Sequence, residues 1–295
     1  MHSQPMLIFI MEILIKVRKI IGKALRRYPL FFRVALFIDR LLRLPLRLAR
    51  LNYFAMSEVF FWGVGRRQNF IERSKATYMD DGFATRHYVS FLHDKKFCDA
   101  YLGSFDKIDD PNILRLRDSF GIAWRAHIVT WAANQALKLN GDFVECGVWY
   151  GTLSKTICEY TNFKHSSKKF YLIDTWGDPT SNRLHENYKI NMFSVVEERF
   201  KAYPNVRLIR GSVPEILEKV PVTSISYLAI DMNGYFAERK TLERYYDIVV
   251  PGGIIYFDDY GWDYAKLRET VDDFFSDKPE KLLHFPSGNS IVVKL

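Results

Sequence analysis

Cysteine is scarce. The 295 residues hold only Cys98, Cys146 and Cys158, with neither C-x-x-C spacing nor an even-numbered framework. That excludes a thiolate-built zinc site or a disulfide scaffold and fits a reducing compartment, with the three as small buried hydrophobes. Also lacking is an apolar run of the roughly 20 residues that a membrane-spanning helix needs. The apolar stretch at 6–15 is interrupted by Glu12, and Lys16 and Arg18 follow it, whereas a secretory signal places its charge before the run. A net positive charge is absent from most of the chain. Residues 1–50 carry eleven Lys/Arg against Glu12 and Asp39, a net +9, and the whole chain is +8, so the remainder sums to −1. A near-neutral body argues against a nucleic-acid groove and against nucleic acid as a partner. Internal repeats and low-complexity tracts are missing as well.

What is present is enough apolar material for a real core, at 48% hydrophobic and 16% aromatic residues. Residues 1–52 read as a basic amphipathic helical arm, with helices over 6–27 and 30–52 separated by Tyr28-Pro29. In the second, Leu41, Leu44, Leu48 and Leu51 recur at helical spacing with Arg40, Arg43, Arg47 and Arg50 between them, and Pro45 kinks it or ends it early. Such an arm suits an anionic membrane surface, or equally a face packed on the body or on a second copy of the chain. Residues 53–120, aromatic-rich and irregular, read as a lid of short helices and loops. The arm and lid make a helical N-terminal extension.

A regular alternation then fills 121–295. A helix over 122–139 leads to strands over 142–148, 169–175, 206–210, 227–231 and 253–258, with helices between and after them at 152–160, 187–202, 236–248 and 264–275, and a short one begun by Pro214. This is the pattern of a doubly wound α/β domain. Two last β-like runs, 281–285 and 290–295, are joined by Pro286-Ser287-Gly288-Asn289, too short for a parallel crossover. The expected fold is therefore a mostly parallel seven-stranded sheet closed by a C-terminal antiparallel hairpin. That ending argues against a dinucleotide dehydrogenase, whose sheet is built from parallel halves.

The segment Val144–Gly151 spans the end of the first strand and the opening of the first helix, where ligands of open α/β sheets bind. Gly147 and Gly151 in it allow close backbone approach to a ligand, or simply close packing of helix on strand. Asp174 ends the second strand, suitably placed to bind ribose hydroxyls or to form a turn or cap. Asp231 ends the fourth strand and Asp258 and Asp259 the fifth, so three carboxylates converge on one rim. They are either ligands of a hard cation such as Mg²⁺ or helix caps.

The stretches GDFVECGVWYGTLSK, YLIDTWGDP, VRLIRGSVPEIL, LAIDMNGYFAER and PGGIIYFDDYG resemble, in order, the motifs of the macrocin O-methyltransferase family, a class I group that methylates sugar hydroxyls of macrolides. The resemblance covers about 120–295. It implies S-adenosylmethionine held by Glu145, Gly147 and Gly151, its ribose on Asp174 and its adenine beside Gly211 and Ser212. It further implies Mg²⁺ on Asp231, Asp258 and Asp259, presenting the acceptor hydroxyl. Two departures stand out. Where the family reads D-M-D-L-Y, this chain has Asp231-Met232-Asn233-Gly234-Tyr235, which removes a charge. Gly234 also stands where catechol-type enzymes place a lysine. His185, in the loop after Asp174, is the remaining candidate base beside a catalytic Asp231. The expected activity is Mg²⁺-dependent O-methylation of a sugar, glycosylated small molecule or glycan. A metal-independent methyltransferase and a non-catalytic binding module stay open, as does self-association. The expected location is cytoplasmic, at most peripheral at the inner face of a membrane.

Overall fold

A computed structural model describes residues 76–177, 192–262 and 265–295. The expected arm, the start of the lid and His185 lie outside the described residues.

An antiparallel hairpin comes first, β1 (Tyr78–Asp80) and β2 (Phe83–Thr85), turned by Asp81 and Gly82 at φ 51° and 81°. Both turn residues lie in the left-handed region, as a two-residue hairpin loop requires. Sequence reasoning expected only helices and loops here. Three helices follow, α1 (Lys95–Gly103), α2 (Pro111–Ser119) and α3 (Ala123–Ala136). The first two are capped by carboxylates: Asp94 accepts from the Lys96 amide and Asp110 from that of Asn112, with Pro111 opening α2.

The main sheet comprises β3 (Asp142–Cys146), β4 (Phe170–Asp174), β5 (Val206–Arg210), β6 (Ile225–Ile230), β7 (Val249–Phe257), β8 (Leu283–His284) and β9 (Ser290–Val293). Interleaved are α4 (Thr152–Thr161), α5 (Met192–Phe200), α6 (Tyr235–Tyr245) and α7 (Ala265–Phe275). Strand order is β5-β4-β3-β6-β7-β9-β8; the first five are parallel, and β9 pairs antiparallel with both β7 and β8. The expected seven strands are all present. Strand β7 begins earlier than expected, because Val249 pairs with Ile225 ahead of the Pro251-Gly252-Gly253 stretch, with a register shift along the pair. The helix expected to 139 ends at Ala136, and turn structure covers 137–139.

Strand residues divide strictly between two cores. Phe143, Phe170, Leu172, Tyr227, Ala229 and Tyr256 face α1 to α5, while Val144, Cys146, Tyr171, Ile173, Leu228 and Ile255 face α6 and α7. That is the period-two alternation of a strand covered on both sides, which makes central strands apolar throughout. Every residue of β6 is buried. Among the described residues, no helix is long and apolar enough to cross a membrane.

Candidate active site

The sheet's hydrogen-bond ladder runs one residue past its strands and thereby builds the site. The Gly211 amide donates to the Asp174 carbonyl (2.9 Å), Gly147 to Ile173 (2.9 Å), Asp231 to Cys146 (2.8 Å) and Asp258 to Ile230 (3.1 Å). Five neighbouring strand ends thus bring Gly211, Asp174, Gly147, Asp231 and Asp258 to one rim, beside the switch point of the sheet.

At the centre of that rim Gly147 has φ 89°, and a Cβ there would lie 1.7 Å from the Asp231 carbonyl oxygen. No other residue fits. Gly151, which precedes α4, is packed against the Phe200 ring. Both glycines therefore have a packing reason as well as a ligand-binding one. Asp174 is buried and organises the loop: one carboxylate oxygen accepts from the Val148 and Trp149 amides at 2.7 and 2.8 Å, the other from Trp176 at 2.9 Å. The turn-forming role weighed for this residue is thus realised.

Glu145 points into the interior, accepting from Ser154 Oγ at 2.6 Å. Burial pushes its carboxyl up to about 8, against the opposing Ser154 bond. With Tyr227, Asp231 and Tyr256 it lines a small cavity of about 10 Å³, the space of roughly one water.

Asp231, Asp258 and Asp259 come together: a carboxylate oxygen from each lies within 4.8 Å of the others. Burial, then repulsion from Asp258 and Asp259, raises Asp231 well above the usual carboxylate range. Asp259 is pushed up to about 6 by burial and by Asp258. Such repulsion is what a shared divalent ion relieves, and an all-oxygen donor set suits a hard one. The residues fit Mg²⁺.

Four residues at this rim escaped the sequence reading. Arg125, on α3, donates from Nη1 to Asp258 Oδ2, and from Nε and Nη2 to Asp81 at 3.0 Å. Tyr256 Oη donates to Asp258 Oδ1 at 2.5 Å. Buried Glu238 on α6 is pushed up to about 8 by burial and by Asp259, opposed by the Met232 and Asn233 backbone groups it bonds. Of these, only Asp81-Gly82 left a signal, as a hairpin-turn dipeptide. Ser212 follows Gly211 at the edge of the rim, and His185 lies outside the described residues.

The sequence profile of the family described as Macrocin-O-methyltransferase (TylF) matches residues 128–282, more than half of the chain. Among solved structures, the chain is similar to the O-methyltransferase NovP, at 20% identity and a TM-score of 0.50 over 58% of this chain and 79% of that one. It is similar also to CalS11, a TDP-rhamnose 3'-O-methyltransferase of calicheamicin biosynthesis, at 14% identity and 0.46 over 70% and 96%. The likeness to NovP bears on the fold. No curated protein matches the chain.

Proposed function

The chain belongs to the macrocin O-methyltransferase family and is an S-adenosylmethionine-dependent O-methyltransferase; from that premise we propose that it methylates a sugar hydroxyl with Mg²⁺ held by Asp231, Asp258 and Asp259. The carboxylate trio, with oxygens within 4.8 Å of one another, is the observation that carries the metal. The sugar acceptor, free or within a glycan, follows from the family.

When bound, S-adenosylmethionine supplies an electrophilic methyl carbon, and Mg²⁺ supplies Lewis acidity toward an acceptor oxygen. In this reading buried Glu145 meets the ammonium of the cofactor's methionine end, and Gly147 and Gly151 let the main chain approach without side chains. Asp174 fixes the amides of Val148 and Trp149 and faces the ribose, while Gly211 and Ser212 border the adenine. Asp231, Asp258 and Asp259 set the acceptor's position, and orientation contributes much of the acceleration. Asn233 offers a neutral oxygen where the family has a carboxylate, so the site binds its ion less tightly. Proton acceptance rests with Asp231 and His185; full turnover of His185→Ala between about pH 5 and 8, where an imidazole titrates, would remove the histidine.

The test offers radiolabelled S-adenosylmethionine with sugar nucleotides, glycosides and catechols. Label is expected in the sugar-bearing acceptors; label confined to catechols overturns the sugar reading. A metal-independent enzyme remains a second reading on one observation, the Arg125 guanidinium already set against Asp258.

A further inference from the structure

The carboxylate rim already contains a cation. The Arg125 side chain is 12% exposed, contacts Asp258 through Nη1 and stands 3.8 Å from Asp259 Oδ1. An arginine in a protein does not shed its charge. Any divalent ion shared by these oxygens must therefore coexist with, or displace, a fixed positive charge that touches one of its ligands. Asp258 has little capacity left over, since Tyr256 Oη engages its other oxygen.

Arg125 also has somewhere to go. Its Nε and Nη2 grip Asp81, in the turn between β1 and β2, at 3.0 Å, in the two-pronged geometry that guanidinium and carboxylate favour. The Trp262 ring lies 5.3 Å from the guanidinium carbon and supports it from another side. If the Asp258 contact is given up, the charge stays paired.

We propose that Arg125 competes with the divalent cation for Asp258, bracing the rim carboxylates in the metal-free enzyme and withdrawing onto Asp81 when the ion binds. Arg125 then sets the metal affinity of the site, and Asp81 acts as the receiver that makes withdrawal inexpensive. This rests on the metal reading above. It assigns positioning roles to two residues that lie outside the expected ligand set.

The experiment is calorimetric titration of Mg²⁺ into the full-length protein, wild type against Arg125→Gln, Arg125→Lys and Asp81→Asn, with thermal melts of each. Removing the competing charge in Arg125→Gln is expected to tighten Mg²⁺ binding by about tenfold or more. Arg125→Lys, which keeps the charge but not the two-pronged grip on Asp81, is expected to tighten binding far less than Arg125→Gln. Asp81→Asn strands the guanidinium on Asp258 and weakens binding by about threefold or more. General damage would weaken binding in every variant, so a tightened Arg125→Gln cannot come from misfolding. Equal or weaker binding by Arg125→Gln overturns the competition, and unchanged or tighter binding by Asp81→Asn overturns the receiver role. Absence of Mg²⁺ binding in all four proteins overturns the metal reading itself, and this proposal with it.

Discussion

Gly147 shows how one position can serve packing and ligand at once. Its φ of 89° and its approach to the Asp231 carbonyl leave no room for a methyl group. Gly147→Ala should therefore push β3 and β6 apart at their ends, costing about 2 kcal/mol or more, and lower affinity for S-adenosylhomocysteine. Thermal melting and calorimetry check this together. Glu145 makes a prediction about pH. Burial pushes its carboxyl up to about 8 from the ordinary 4.5, so the folded state keeps a proton that the unfolded chain releases. The stabilisation is complete below about 4.5 and is lost as pH rises toward 8. The ligand-free enzyme should grow less stable across that window, and Glu145→Gln should flatten the profile; denaturant unfolding at several pH values reads it. Asp231 was legible because a strand end marks it, and Glu145 through the family resemblance. Arg125 was not, since an arginine within a helical stretch reads as a solvated side chain until the fold sets it against a carboxylate 133 positions later.

Strands revealed themselves more faithfully than helices and turns. β5 falls on the expected residues, and β3 and β4 differ from expectation only at their ends. Both faces of β3 and β4 are buried, so continuous apolar runs bounded by polar residues define them, whereas β5 lies at the sheet edge with Arg207 and Arg210 exposed. The β1–β2 hairpin stayed hidden because each strand has only three residues, too few for an alternating pattern. Its Asp81-Gly82 turn was the available clue. The early start of β7 was masked by Pro251 and two glycines, which read as a turn although the backbone pairs on either side of them. At this scale the caps give a clean test. Asp94→Ala removes the acceptor for the Lys96 amide at the start of α1 and should cost about 1 kcal/mol, seen as a lower melting temperature. The rim should be untouched, with S-adenosylhomocysteine affinity unchanged.

For the whole molecule, alternation of strands and helices and a closing antiparallel hairpin were enough to identify the fold. They could not say how the carboxylate rim is neutralised, because that depends on α3 and the first hairpin packing against the end of β7. The asymmetry of charge makes a prediction of its own. With +9 in residues 1–50 and −1 in the rest, the intact chain should co-sediment with vesicles containing anionic lipid, and a chain lacking residues 1–52 should not. Equal sedimentation would remove the membrane role of the arm. The central claim, methyl transfer at a cation-holding carboxylate rim, is tested most directly by assaying transfer from labelled S-adenosylmethionine to a sugar acceptor before and after EDTA, in wild type and Asp259→Asn. The account predicts loss of turnover with EDTA, recovery on adding Mg²⁺, and a fall of about a hundredfold in the variant; turnover indifferent to EDTA and to the substitution would contradict it.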